Sequence, residues 1–385
     1  MHVVVIGAGV VGASIAAGLA RRGATVTIVE RDWPGTGTSA TSFAWVNANG
    51  KEPESYYKLN AAGVRAHHEL AAGGSSWLVP GGHLEYATDP GHRERLRGRM
   101  ARLAERGYPV REVTVAQAAE LVPDLAVPAG CDTIAFFPGE AHVHPALYLA
   151  HVLGRALDAG ATLRSQTEVV GLRPAGAGAQ VVLSDGDVLT ADAVVAAAGR
   201  WTSAVAGLAG ASLPLASFTT PGDVTVGHLV ETSPVPARLD RIVTTPRLNI
   251  RPDGGGRLLL QALDLDVTAD PSVVPGVDSE LAQELVRRLR AVVGNTESAE
   301  VRRVVVGQRV MPADGYTVVG HAPEAAWLYL VATHSGVTLA PLFAERVPGE
   351  VLGEEREPLF ADFRPDRFLA GVTGAPPVPR RPGEQ

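Results

Sequence analysis

The stretch "VVVIGAGVVGASIAAGLARRGATVTIVE", Val3 to Glu30, leaves this chain little choice of fold at its N-terminus. Val3 to Ile6 read as a short buried strand, and Gly7, Gly9 and Gly12 follow at the GxGxxG spacing. The first glycine permits a tight turn, the second lets backbone approach a pyrophosphate, and the third lets the next helix pack on the strand. That helix runs through Ala13, Ala16, Ala17 and Leu19 to about Arg22, and Gly23 ends it. Its N-terminal amides carry partial positive charge toward the phosphates. A second strand, "TVTIVE", ends at Glu30, where a carboxylate can accept both hydrogen bonds of a ribose diol and repel a 2′-phosphate.

The segment after Glu30 separates two dinucleotides. A half-fold for NAD would reach its third strand soon, through a second helix, whereas this chain continues "RDWPGTGTSATSFAWVNANG". A loop so rich in hydroxyls and small residues suits wrapping a long cofactor by backbone and hydroxyl hydrogen bonds, although composition alone also fits a solvated loop. The next nucleotide-fold signature comes about a hundred residues later. Pro145 opens a helix with Leu149, Val152, Leu153, Ala156 and Leu157 on one face, ending at Gly160. "TLRS", "TEVVGLRP", "AQVVLSDG" and "VLTADAVVAAAG" then read as a strand, a small meander and a strand into Gly199. A βαβ start followed so late by a meander points to FAD.

Composition narrows the partners. A formal charge of −7 without a dense basic run argues against nucleic acid or an anionic membrane surface. No apolar stretch reaches the roughly 18 residues of a membrane span. Lys51 and Lys58 are the only lysines, and Cys131 is the only cysteine, which excludes an internal disulfide and a cysteine-rich metal site. His142 and His144 stand two apart with no third ligand in view, and Cys131 has no evident activating base. The chain enters a strand at once with no basic leader, so a cytoplasmic protein is expected. Oligomeric state is left open.

One charge needs an explanation. In "GQRVMPADGYTVVG", Arg309 follows the apolar Val304, Val305 and Val306 and precedes Val310 and Met311, which puts it at the inner end of a buried strand. A buried guanidinium without a partner costs about 3 to 5 kcal/mol. Its anion is either a protein carboxylate, Asp314 or another acid, or the carboxylate of a substrate.

From about residue 2 to 368 the chain resembles the D-amino-acid oxidase superfamily, which includes glycine oxidase, sarcosine oxidase, dimethylglycine dehydrogenase and D-amino-acid dehydrogenase. The N-terminal stretch, "TSATSFAWVNANG", "ADAVVAAAGRWT", and the C-terminal pair "GQRVMPADGYTVVGHAP" and "LYLVATHSGVTLAPLFAE" carry the likeness, in the same order. The resemblance implies FAD, with its pyrophosphate on the amides near Val10 and Val11 and its AMP ribose on Glu30 beside Arg31. It implies a flavin lined by Thr38, Ser39, Ser42, Phe43 and Ala44, an adenine met by the Val169 backbone, and Gly199 and Trp201 along the cofactor. It puts His334, Gly336, Val337 and Thr338 at the head of the last helix, aimed at the flavin, where a helix N-terminus stabilises developing negative charge. Arg309 matches the arginine that pairs with a substrate carboxylate, which a planar guanidinium can hold by two parallel hydrogen bonds. The chain also departs from the pattern. Residues that attach the flavin covalently in some relatives fall near Thr41 and Arg309, so FAD is expected to be non-covalent. Leu259 or a neighbour stands where sarcosine oxidase has an oxygen-activating lysine, and the second arginine of glycine oxidase is missing near Ser335.

The expected fold is α/β, α+β overall: a Rossmann-like FAD-binding domain of the glutathione-reductase type with an interleaved antiparallel-sheet substrate domain. Residues 1–45, 140–215 and 305–368 are assigned to the FAD domain, 46–139 and 216–304 to the substrate domain, and 369–385 to a flexible Pro-rich tail. The second domain includes helical runs such as "RERLRGRMARLAERG" and "DSELAQELVRRLRAVV", the latter with Leu281, Leu285, Leu289 and Val292 on one face. "RLNIRPDGGGRLLLQA" reads as a hairpin roofing the flavin, with Gln261 facing either substrate or solvent. The expected activity is FAD-dependent oxidation of an amino acid or N-substituted glycine to an imine, by hydride transfer to flavin N5, with Arg309, Gln261 and His334 against the substrate. The electron acceptor is oxygen or another species. An enzyme for an unusual amine in specialised metabolism, a flavin hydroxylase, an NAD dehydrogenase and a non-catalytic FAD-binding protein are the alternatives.

Overall fold

The computed structural model describes residues 1–354 and 356–369; the tail assigned to 369–385 lies outside the described residues apart from Leu369. Its first layer is a six-stranded sheet in the order Val318–Ala322, Ala325–Ala332, Ala193–Ala196, His2–Ile6, Thr25–Val29 and Thr162–Arg164. All neighbours run parallel except the first pair, which is an antiparallel hairpin. Parallel strands covered on both faces read as continuous apolar runs, and "VVVI" is one. Val3 and Val5 pack with Ile15, Leu19, Leu339 and Phe343 on the helical face. Val4 and Ile6 pack with Leu172, Val181 and Leu183 of the three-stranded meander on the other.

Helices Val10–Arg21 and Gly336–Val351 cross on that helical face. Gly18 permits the crossing, because a Cβ there would lie 2.0 Å from the carbonyl oxygen of Ala344. The glycine turn meets its expected needs: Gly7 has φ +105°, and a Cβ on Gly12 would sit 2.0 Å from the Gly7 oxygen. The first helix ends one residue before the expected Arg22, and Gly23 follows at φ +83°. Strand Thr25–Val29 stops just short of Glu30.

The second layer is an eight-stranded sheet in the order Val301–Gln308, Val226–Thr232, Leu258–Gln261, Leu248–Pro252, Ile242–Thr245, His83–Tyr86, Ile134–Phe137 and Arg111–Glu112. Only Ile242–Thr245 against His83–Tyr86 is parallel. The hairpin read from "RLNIRPDGGGRLLLQA" forms with Asn249 opposite Gln261. Strand Val301–Gln308 runs across the expected boundary at residue 305 and is mostly half-buried or exposed rather than the buried strand expected, so Arg309 follows directly on an edge element of the second sheet. Helix Glu280–Val292 covers this sheet through Ala282, Leu285, Val286 and Leu289. The expected face is thus rotated: Leu281 and Val292 lie at its margin, partly buried, while Ala282 and Val286 lie at its centre. Among the described residues, no helix is long and apolar enough to cross a membrane.

Candidate active site

A cavity of about 900 Å³ opens between the two layers. Two helices point their N-termini into it, and neither has a side-chain cap or an acidic residue in its first turn. Unsatisfied amides at a helix start ordinarily find a side-chain oxygen. Here Ser39 Oγ accepts from Val10 N at 3.2 Å, and Gly9, Val10 and Val11 line the cavity. The two helix starts also meet, since a Cβ on Gly336 would come 3.3 Å from Val11 Cγ2. Two partial positive charges on one wall, with no acid in either first turn, suit an anionic ligand of dinucleotide size.

The cavity gathers nearly all the residues expected from sequence. Gly7, Gly9, Val10 and Val11 line it, and Gly12 does not, being packed beneath the turn. Glu30 lines it with both carboxylate oxygens held: Oε2 accepts from Ala8 N at 2.8 Å and Oε1 from Asp32 N at 3.0 Å. Each oxygen keeps a second lone pair for a ribose hydroxyl. Trp201 also lines it and lies against two guanidinium groups, Arg31 at 4.4 Å and Arg200 at 3.6 Å from its ring centre. Val169 and Gly199 line the same end, the latter at φ +60°.

The hydroxyl-rich loop is built into the wall. Thr38 Oγ1 donates to the Gln308 carbonyl at 2.7 Å, tying the loop to the strand that carries Arg309. Ser42 Oγ accepts from Ala44 N at 2.9 Å, and the Phe43 carbonyl accepts from the buried Arg251 Nε. Ala44 has φ +57°, a left-handed conformation uncommon without glycine, and its side chain lines the cavity. His334, Gly336, Val337 and Thr338 form the head of the last helix and line the cavity. Thr338 Oγ1 donates to the Trp45 carbonyl at 3.2 Å, so this helix start is fixed to the loop opposite.

Arg309 lines the cavity, and its charge has a protein partner, an acid other than Asp314. Asp314 pairs with Arg367 at 2.7 Å instead. The Nη2 of Arg309 lies 3.1 Å from Asp266 Oδ2, and its Nη1 donates to the carbonyls of Val224, at 2.9 Å, and Val226. Of the five N–H donors of a guanidinium, these bonds take three, leaving Nε–H and one Nη2–H for a ligand. Gln261 is buried, lines the cavity, and accepts from Asn249 Nδ2 at 3.3 Å, so it faces inward.

Several residues of the site carry no sequence signal strong enough to have named them. Lys51, just after "NANG", is 7% exposed and lines the cavity, a further cation besides Arg31, Arg200 and Arg309. Its Nζ lies 5.7 Å from the ring centre of Tyr56, whose hydroxyl is 2.9 Å from Ser335 Oγ at the start of the last helix. Rarity was the one available clue, since the chain has only two lysines. Asn47 also lines the cavity and has a buried Oδ1 with no protein partner. Trp45 is set by Glu140, a fully buried carboxylate that accepts from Trp45 Nε1 at 2.8 Å and Tyr108 OH at 3.0 Å. Burial, and then the Glu140 charge, hold the Tyr108 phenol well above its ordinary pKa, so it stays a donor. Leu259 is buried beside Phe43 and Trp45, where a lysine would find an apolar cluster. His142 and His144 face each other at 5.6 Å, and no group of three metal ligands occurs among the described residues.

Comparison with known proteins agrees with this geometry. Residues 2–347 match the DAO family, described as FAD dependent oxidoreductase. Glycine oxidase of Geobacillus kaustophilus is 28% identical over 96% of this chain and 98% of its own. Its crystal structure superposes with a TM-score of 0.83, covering 95% of this chain and 98% of that one at 27% identity. An opine oxidase chain of Agrobacterium tumefaciens is 26% identical over 95% of this chain and 97% of its own. Iminodiacetate oxidase of Chelativorans sp. has a TM-score of 0.78 at 26% identity, covering 98% of this chain and all of that one.

Proposed function

The chain belongs to the DAO family of FAD dependent oxidoreductases, and from that premise we propose that it oxidises the C–N bond of a small amino acid or N-substituted glycine to an imine. The observation that carries this reading is the pairing, in one cavity, of two uncapped helix starts on one side with a guanidinium that keeps two unused N–H donors on the other. The residues present fit FAD. Gly9 presents bare backbone, its Cβ position open except for Ser39 Oγ at 3.1 Å, and the amides near Val10 and Val11 would hold the pyrophosphate. Glu30 would take the ribose, Val169 and Trp201 the adenine end, and Ala44 with Gly336 to Thr338 the flavin. When bound, FAD supplies the acceptor for the hydride that leaves the substrate α-carbon. Neither Thr41 nor Arg309 can attach it, so it is held non-covalently.

The protein's own contribution is positioning and desolvation. Arg309 presents its Nε and Nη2 edge to the substrate carboxylate, which fixes the α-carbon in one orientation. Gln261 and His334 close the substrate end from two sides. Trp45, held by Glu140, and Phe43 keep that end apolar, which favours an amine in its neutral, hydride-donating form. Good orientation alone is worth about 7 to 11 kcal/mol of barrier. The imine is then hydrolysed by water. In the same reading the enzyme is cytoplasmic, with oxygen or another carrier as final acceptor.

The experiment is anaerobic titration of the purified protein with a panel of D- and L-amino acids and N-alkylated glycines, following flavin absorbance. Bleaching by one class names the substrate. An oxidised flavin that the whole panel leaves unbleached contradicts the reading.

A further inference from the structure

The grip on Arg309 is stronger than anchoring a side chain requires. Its backbone N donates to the Thr225 carbonyl at 2.6 Å, and Nη1 is bonded by two carbonyls of the same segment, Val224 and Val226. Two carbonyls already fix the direction of the side chain, and a third holds the backbone at its base. Asp266 then adds a full negative charge at Nη2, from a short 3-10 helix, Leu263–Thr268, in a separate part of the chain. That carboxylate is itself held, since Oδ1 accepts from His228 N at 2.7 Å. It is 7% exposed and lies behind the guanidinium rather than on the cavity wall. The two groups close over Gly227, where a Cβ would come 2.4 Å from Nη2 and 2.5 Å from Asp266 Oδ2.

Two effects of Asp266 oppose each other. As a hydrogen-bond acceptor it helps to fix the guanidinium plane. As a charge it cancels most of the attraction Arg309 offers to a second carboxylate, because both anions share one cation a few ångströms away. We infer that Asp266 is a positioning residue that holds Arg309 in plane while competing with the substrate carboxylate for its charge, so that the site reads carboxylate direction more than carboxylate charge. This rests on the proposal that Arg309 receives the substrate carboxylate. The consequence is weak binding of bare anions and ready release of an oxidised product that keeps its carboxylate.

A side chain with only a structural role predicts the opposite sign for one substitution. Asp266→Asn, with its amide oxygen turned to Arg309 Nη2, keeps the acceptor there and removes the charge, giving up only the bond from His228 N. The probe is acetate, a carboxylate with no amine to oxidise, with its Kd read from the shift it causes in the bound-flavin spectrum. In Asp266→Asn the Kd for acetate falls about tenfold, the size of effect from removing one unit charge about 6 Å away under partial screening. In Arg309→Met acetate binding is lost. If Asp266→Asn does not retain FAD, Asp266→Ser, smaller but still an acceptor, takes its place with the same expected sign. Unchanged or weaker acetate binding in the neutral variant, alongside loss in Arg309→Met, overturns the inference and leaves the anchor standing. Unchanged binding in Arg309→Met overturns both.

Discussion

Asp266 Oδ2 and Arg309 Nη2 meet 3.1 Å apart over a residue that has no side chain, Gly227. The pair is possible only because that Cβ is missing. Gly227→Ala is expected to force the two apart and to destabilise the fold by about 1 to 3 kcal/mol. The measurements are a thermal melt and the concentration of substrate that half-saturates flavin bleaching. Both should worsen while FAD remains bound, and a variant with wild-type values on both contradicts the geometry.

The glycine turn makes a sharper demand. The Cβ of Gly12→Ala would lie 2.0 Å from the Gly7 carbonyl oxygen, which is backbone with no flexible end to yield. The expected cost is about 3 kcal/mol or more, with FAD lost on purification. Retention of a full complement of flavin at wild-type melting temperature would show that the turn can open.

Glu30 holds two amides besides its proposed place against the ribose. Glu30→Ala leaves the N–H groups of Ala8 and Asp32 without their acceptor, and FAD Kd should rise about tenfold or more in a fluorescence titration of the apoprotein. Glu30→Gln, which keeps an acceptor, should fall between.

Acid sensitivity follows from two buried histidines. His67 has Nε2 2.7 Å from the Val337 carbonyl, and burial holds its pKa at about 4, below the ordinary 6.5. The unfolded chain therefore takes up a proton that the folded one refuses, so stability falls as pH drops from 6.5 and the loss levels off below about 4. The loss amounts to about 3 kcal/mol at most. His142, held at about 2 by burial and then by Arg251, extends the same trend to lower pH. The melting temperature should be flat above pH 7 and decline between about pH 6 and 4, and His67→Gln should soften the decline. A flat profile across that window contradicts it.

Legibility from sequence followed the range of the contacts. The strand, the glycine turn, the first helix and Glu30 are neighbours in sequence and obey local periodicities, and all stand where their spacing put them, within one residue. Arg309 reads as a buried charge and stands half-buried; the sequence leaves open a protein acid other than Asp314, but nothing in it names which. The adjacent Asp314 turns instead to Arg367, and the true partner, Asp266, arrives through strand order in a sheet that pairs Val301–Gln308 with Val226–Thr232. Asn47 and Trp45 sit in a stretch that reads as wrapping a cofactor, with Lys51 just after it; what its composition does not show is which side chains face inward, which the apposition of Thr338 settles. Helix Glu280–Val292 shows a smaller limit: Leu281 fits the period as well as Ala282, and packing against the sheet chose between them.

The most direct test of the central claim is the rate of anaerobic flavin bleaching by the amino acid or N-substituted glycine that reduces the wild-type protein, repeated on Arg309→Met with FAD bound. Loss of a charged hydrogen-bonded pair worth about 3 kcal/mol predicts a fall of about a hundredfold or more at low substrate, with the flavin spectrum otherwise intact. Bleaching of Arg309→Met at the wild-type rate contradicts the account, because the carboxylate would then be held by some other group.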